Sequence, residues 1–226
     1  MKTLFIDCSP KKKLSASGFV AAMTGFFVFG NKKKTKLRTK ADYEGILKEL
    51  KDSDIVVFSM PLYVDGVPSH VLPFLKEMEE WCRSNNSQIK VYVIANNGFI
   101  EGRQNEPLMQ VMENFCIRSG IDWCGGLGIG GGVMMNVMRI MIVVFFGITV
   151  LNLILTGIST GDFFDKQILL EFLKELAEVL FFGCGIVTFD LWLASCINKK
   201  RNMESIIHEL CFPHFYLLFV RTSFLR

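Results

Sequence analysis

The chain alternates short, wholly apolar runs with longer stretches whose apolar positions return at helical spacing. Lys2 to Asp7 reads as a short strand, Ser15 to Phe27 as a helix of weak pattern, and Lys34 to Thr39 as an edge strand. The pattern then sharpens. Asp42 to Lys51 is helical, Asp54 to Ser59 (DIVVFS) is a buried strand, and Ser69 to Cys82 is a helix opened by Ser69. Ile89 to Ala95 (IKVYVIA) is another buried strand, Glu106 to Gly120 a helix with a glycine stop, and Ile121 to Gly128 a last strand. Strands separated by helices and apolar on both sides predict a parallel sheet covered on both faces, a doubly wound α/β sandwich. Ligands bind beyond the carboxyl ends of the strands in such a sheet, so the loops after the first, third and fourth strands are the candidate sites.

After Gly132 the pattern changes. Ile140 to Ile158 carries no charged residue across nineteen positions, enough at helical rise to cross about 30 Å of hydrocarbon. Val179 to Ile197 is a second such run, interrupted only by Asp190, and Phe212 to Val220 is a third, too short to span. A charged side chain within lipid is costly, so Asp190 is expected to face protein or water. Arg139 precedes the first run and Lys199, Lys200 and Arg201 follow the second, whereas the connector Ser159 to Glu178 is acidic on balance. The positive-inside rule then puts both charged ends, and the sheet domain with them, on the cytoplasmic face of the cell membrane. The expected organisation is a sheet domain over residues 1–132 and an apolar helical region over 133–226 holding a membrane hairpin, 140–158 and 179–197. A soluble cytoplasmic protein whose apolar helices form an oligomer interface is the alternative; the first run lacks the polar stripe that a soluble surface helix would show.

Composition agrees with that picture: half of the 226 residues are hydrophobic, more than in a typical soluble domain. A formal net charge of +3 is too small to argue for nucleic acid, but lysines cluster at 11–13, 32–34 and 199–200 beside Arg201. The seven cysteines are scattered, with no Cys-x-x-Cys pair, so neither a zinc site nor an iron–sulfur cluster is expected. With Met1 leading directly into a strand, reduced thiols in a cytosol-facing protein are the expectation. His70, His208 and His214 lack metal-ligand spacing.

The first candidate loop, in the stretch FIDCSPKKKLSAS, offers Ser9, Ser15 and Ser17, the N–H groups at the head of a helix, and Lys11 to Lys13. That combination is a nest for an anion such as phosphate; a solvated lysine turn is the plain alternative. A phosphatase loop would need an arginine six positions after Cys8, and Leu14 stands there, which leaves Cys8 as a buried thiol. No Gly-x-x-x-x-Gly-Lys-Ser/Thr run exists, so kinase and ATPase chemistry drop out. Gly126, Gly128 and Gly131 have dinucleotide-fingerprint spacing, but they do not stand at the first strand-to-helix turn and no acidic residue follows about twenty positions on.

The loop SMPLYVDGVPSH, Ser59 to His70, completes a pattern. Ser9-Pro10-Lys11, Pro61 to Gly66 (PLYVDG) and Asn96 to Pro107 (NNGFIEGRQNEP) together resemble the flavodoxin-like NAD(P)H-dependent FMN reductases, over roughly residues 1 to 132. The resemblance implies a flavodoxin-like, five-stranded sheet of order 2-1-3-4-5, here followed by C-terminal apolar helices. It implies FMN as cofactor, with Ser9, Lys11, Ser15 and Ser17 on the phosphate, Pro61, Leu62, Tyr63 and Val64 along the isoalloxazine, and Asn97, Gly98 and Phe99 at its other edge. The stretch Lys11 to Leu14 departs from the family in lacking asparagine or glycine. The implied function is an oxidoreductase passing electrons from NADH or NADPH to a flavin, quinone or other small acceptor. An electron carrier or redox-sensing module with little nicotinamide turnover is the rival. Because the cofactor carries the chemistry, no catalytic acid or base and no metal is expected from the protein. A membrane tether would suit a lipid-soluble acceptor, and homo-oligomerisation is left open.

Overall fold

The computed structural model describes residues 1–12, 15–99, 101–131, 191–203 and 205–208, the last three as backbone alone, with single helical positions between 143 and 174. The strands are β1 (Lys2–Asp7), β2 (Asn31–Lys36), β3 (Ile55–Pro61), β4 (Lys90–Asn96), β5 (Asp122–Ile129) and β6 (Ile206–His208). They form one sheet in the order β2-β1-β3-β4-β5-β6 with every neighbouring pair parallel. The first five strands thus have the expected 2-1-3-4-5 order, the flavodoxin-like arrangement of a doubly wound sheet.

The apolar runs are continuous because both faces are covered. Along β3, Val56, Phe58 and Met60 join Leu4, Ile6, Val91 and Val93 under α2 (Tyr43–Leu50), α3 (Leu72–Ser84) and α4 (Glu106–Ser119). The alternate residues Ile55 and Val57 join Phe5, Tyr92 and Ile94 under α1 (Ala16–Phe27) and a helix at 191–198. That split is the period-two alternation of a strand between two cores.

Two element boundaries differ from expectation. Helix α3 starts at Leu72, with Pro73 in its first turn where a missing N–H costs nothing, and Ser69 lies in the preceding turn, in which the Val71 N–H donates to the Pro68 carbonyl at 2.8 Å. Strand β2 pairs with β1 from Asn31 rather than Lys34, carrying lysines on an exposed edge, where their charge deters pairing with another chain.

The larger difference is at the C-terminal end. The last residues of the second apolar run are not in lipid: Leu193, Ala194, Cys196 and Ile197 are buried against the sheet beside α1. An apolar helical stripe reads the same whether lipid or a sheet covers it, which is why the sequence pattern misplaced them. Asn198 donates to the Phe27 carbonyl at 3.0 Å and accepts from the Phe29 N–H at 2.7 Å, and Lys200 pairs with Asp54 at 3.4 Å. Tyr92, fully buried, donates its hydroxyl to the Arg201 carbonyl at 2.7 Å, with the Cys196 carbonyl at 3.2 Å. The Met203 N–H then bonds the Cys124 carbonyl at 2.9 Å, and Gly125, at φ +100°, has no Cβ to strike the Met203 carbonyl. Residues 191–208 therefore add a helix and the sixth strand to the sheet domain, and the apolar stretch before them is inserted into it.

Of the first apolar run, the described positions are helical, and Val143, Phe146, Leu151, Leu155 and Ile158 are exposed; the remainder of it, residues 179–190 of the second run with Asp190, and the third run lie outside the described residues. Among the described residues no helix is long and apolar enough to cross a membrane.

Replacing Tyr92 with Phe removes the side-chain donor from the part-buried Arg201 carbonyl. Tyr92→Phe is expected to lower stability by about 1–2 kcal/mol in denaturant titration and to speed tryptic cleavage at Lys199 to Arg201; an unchanged cleavage rate would show that the C-terminal helix is held elsewhere.

Candidate functional site

Three of the loops singled out from sequence meet at the carboxyl edge of β1, β3 and β4, and Asn96 joins them. It is the last residue of β4 and is buried. Its side-chain Oδ1 accepts the Ser17 hydroxyl at 2.7 Å, and its carbonyl accepts the Leu62 N–H at 2.8 Å. Ser59 Oγ, at the end of β3, donates to the Ser17 carbonyl at 2.7 Å, so the head of α1 is fixed to two strand ends.

In the first loop, Ser9, Ser15 and Ser17 are all buried. Ser15 is the N-cap of α1: its backbone is extended and its Oγ accepts the Gly18 N–H at 2.9 Å. Ser17 serves Asn96, and Ser9 Oγ accepts the Lys11 N–H at 3.4 Å. Lys11 and Lys12 are exposed. Arg38, from the segment after β2, donates through Nε to the Ser9 carbonyl at 3.2 Å and through Nη2 to the Lys11 carbonyl. On the other side, His70 Nε2 donates to the Cys8 carbonyl at 3.1 Å, which makes His70 a staple of this loop. Cys8 is fully buried, and burial, reinforced by the Asp7 carboxylate, pushes its thiol well above the usual range; it is no nucleophile.

The second loop is a tight hairpin. Tyr63 and Gly66 exchange two backbone bonds, at 3.2 and 3.1 Å, around Val64 and Asp65, both with positive φ (48° and 55°). This is the geometry of a type I′ turn, which favours Asn-Gly and strains a β-branched valine. Pro61 and Leu62 are half-buried, Val64 is wholly exposed, and Tyr63 is 45% exposed. In the third loop, Gly98 and Phe99 are exposed, Phe99 by 64%, and Asn97 is buried. Asn97 donates from its backbone to the Ile129 carbonyl at 3.0 Å and from Nδ2 to the Glu101 carbonyl at 2.7 Å, while its Oδ1 is buried without a partner.

Residues 61–64 and 97–99 thus bring apolar surface to the edge that also carries Ser9 and Lys11. Five contributors were not read from the sequence: Asp7, Arg38, Ser59, His70 and Asn96. Asn96 and Ser59 stood at the ends of predicted strands and so at the predicted edge; nothing local marks Arg38, which acts across 29 residues of chain. A groove of about 910 Å³, lined by Lys51, Asp54, Trp81, Lys90, Asp122 and Lys200 among others, opens at the opposite, amino edge. Its walls are surface charges, and strand topology places ligands at the carboxyl edge instead.

A parallel sheet of order 2-1-3-4-5 with polar loops gathered at its carboxyl edge defines a flavodoxin-like α/β protein, so the resemblance read from the sequence holds at the level of the fold. No family model and no curated protein matches the chain. Solved structures similar to it include the Trp repressor binding protein from Bacillus subtilis, 18% identical over 55% of this chain and 85% of that one, with a TM-score of 0.44. An NADPH-quinone reductase from P. pentosaceus is 16% identical over 58% and 86% of the two chains, with a TM-score of 0.47. The NAD(P)H:quinone oxidoreductase from Methanothermobacter marburgensis is 14% identical over 58% and 84%, with a TM-score of 0.49.

Arg38 clamps the first loop from outside the sheet. Arg38→Met is expected to raise the tryptic cleavage rate after Lys11 and Lys12 about tenfold, the equivalent of one lost charge-assisted hydrogen bond, with little change in global melting temperature; equal cleavage rates would remove Arg38 from the loop's support.

Proposed function

We propose that the chain is an FMN-dependent oxidoreductase that takes hydride from NADH or NADPH and passes electrons to a small acceptor, a quinone or a second flavin. The observation that carries this reading is the junction at Asn96, which holds a hydroxyl-rich loop, the hairpin of Tyr63 and the Phe99 loop at one strand edge. When bound, the flavin supplies the redox chemistry. The chain's residues position it. The Ser9 hydroxyl, Lys11 and Lys12 favour the phosphate end, while Ser15 and Ser17 act by fixing the head of α1. Pro61 to Val64 and Phe99 offer apolar contact that keeps water from a flat ring, and the unpartnered Asn97 Oδ1 is the kind of acceptor that a ring N–H satisfies. Protein supplied with FMN is expected to show the spectrum of a bound flavin, to release FMN on denaturation, and to oxidise NADH or NADPH in the presence of a quinone. Failure to take up any flavin would refute the reading; flavin without nicotinamide turnover would leave the electron carrier or redox module.

The same proposal places the protein on the cytoplasmic face of the cell membrane. Its support is the nineteen-position uncharged run, the exposed apolar side chains at the described positions of that run, and the attachment of the stretch at both ends. Both ends belong to one sheet domain, so the stretch between crosses a bilayer twice or not at all. The first crossing would use 140–158; the return must come from residues before the 191–198 helix, not from the whole of 179–197. A helix between parallel neighbours runs antiparallel to them, so residue 191 lies towards the carboxyl edge from which β5 also departs. The membrane would then face the flavin edge, which suits a lipid-soluble acceptor. The protein is expected to stay with membranes through an alkaline carbonate wash and to leave them only in detergent; full release by carbonate would refute the anchor.

A further inference from the structure

The first loop contains an anion of its own. Asp7, the last residue of β1, is 4% exposed, and its Oδ1 accepts the Ser9 N–H at 3.1 Å. Its Oδ2 stands 2.9 Å from where a Cβ on Gly18 would lie, in the first turn of α1, so the missing side chain at Gly18 makes room for the carboxylate. The helix's positive end and one of the loop's N–H donors therefore already face a carboxylate. Of the neighbouring hydroxyls, Ser17 gives its hydrogen to Asn96; Ser9 and Ser15, whose oxygens accept the Lys11 and Gly18 N–H groups, keep a hydrogen each, but a neutral hydroxyl does not cancel a full charge. Among the described residues, the positive groups that remain are Lys11 and Lys12, exposed and screened by solvent, and Arg38, which is directed at the Ser9 and Lys11 carbonyls.

From this we infer that Asp7 is a specificity-determining residue that penalises the phosphate of a bound flavin, so that the site holds FMN loosely and separates FMN from riboflavin much less than a nest without a carboxylate would. The inference rests on the flavin reading of the site. A phosphate brought into the loop meets a negative charge in a partly dehydrated setting, where repulsion is several times stronger than in water. A ligand with the same ring and no phosphate does not meet it. The consequence is a flavin that exchanges, as a diffusible electron acceptor does, rather than one retained through every turnover.

The test is titration of flavin-free full-length protein in detergent with FMN and with riboflavin, followed by quenching of flavin fluorescence. Asp7→Asn keeps the Oδ1 acceptor for the Ser9 N–H and removes the charge, with an NH2 in place of Oδ2; Asp7→Ser is a second neutral variant in case the first folds poorly. The wild-type protein is expected to bind the two flavins with similar affinity. Both variants are expected to bind FMN about tenfold more tightly or better, the size of one like-charge repulsion near a surface, and riboflavin within about twofold of wild type. An unchanged ratio of the two affinities in folded variants, or weaker FMN binding, would overturn the inference while leaving the flavin site standing. Failure of wild type and both variants to bind either flavin would overturn the flavin reading and this inference together.

Discussion

The carboxyl edge depends on one amide. Asn96 ends a central strand, where its backbone is committed to the sheet and its side chain emerges among loops. By accepting from Ser17 on one side and Leu62 on the other, it sets the distance between the head of α1 and the Tyr63 hairpin. Both bonds are shielded from water, so neither can be exchanged cheaply for a solvent contact. A shorter polar residue here would lose the Ser17 bond and free the head of α1, while the Leu62 bond, made to the backbone carbonyl, would remain. The rigidity of the edge is thus supplied from beneath it, by a group that need not touch a ligand itself.

Much of the fold was legible because the central strands are apolar on both sides. DIVVFS and IKVYVIA can be buried strands of a parallel sheet and little else at that length between helices, and Gly120 stops α4 by taking the left-handed conformation at φ 68°. The loops of the site were located through the topology rather than through their own composition. What stayed hidden were relations across distance. Arg38 looks like any surface arginine until β2 is docked on β1, and the sixth strand has only three residues. The 191–198 helix was hidden for a different reason: its apolar pattern is explained as well by lipid as by the sheet, and only the partners of Tyr92 and Asn198 decide between them.

The hairpin at Val64 and Asp65 shows local preference giving way to placement. Aspartate tolerates positive φ but valine does not, and a valine there is strained by of order 1–3 kcal/mol, which neighbouring contacts must offset. The turn holds Tyr63 out of the sheet and sets an apolar methyl pair fully in solvent. An Asn-Gly turn would relax the backbone but remove that surface. The same contrast applies to the cysteines: Cys8 and Cys82 are buried, and Cys82 is pushed up to about 11 by burial, so sulfur near the sheet packs rather than reacts.

The position of residues 191–208 has a consequence for how the chain reaches its native state. Tyr92 and Arg201 are 109 residues apart in sequence, and the apolar face beside α1 is not closed until the 191–198 helix arrives. During synthesis the first five strands can pair while that face is still bare, and the uncharged stretch leaves the ribosome before the segment that would cover it. The slow step is then a loop closure over a long and greasy insertion, in which holding that insertion apart from the bare sheet matters more than any single contact in the finished protein.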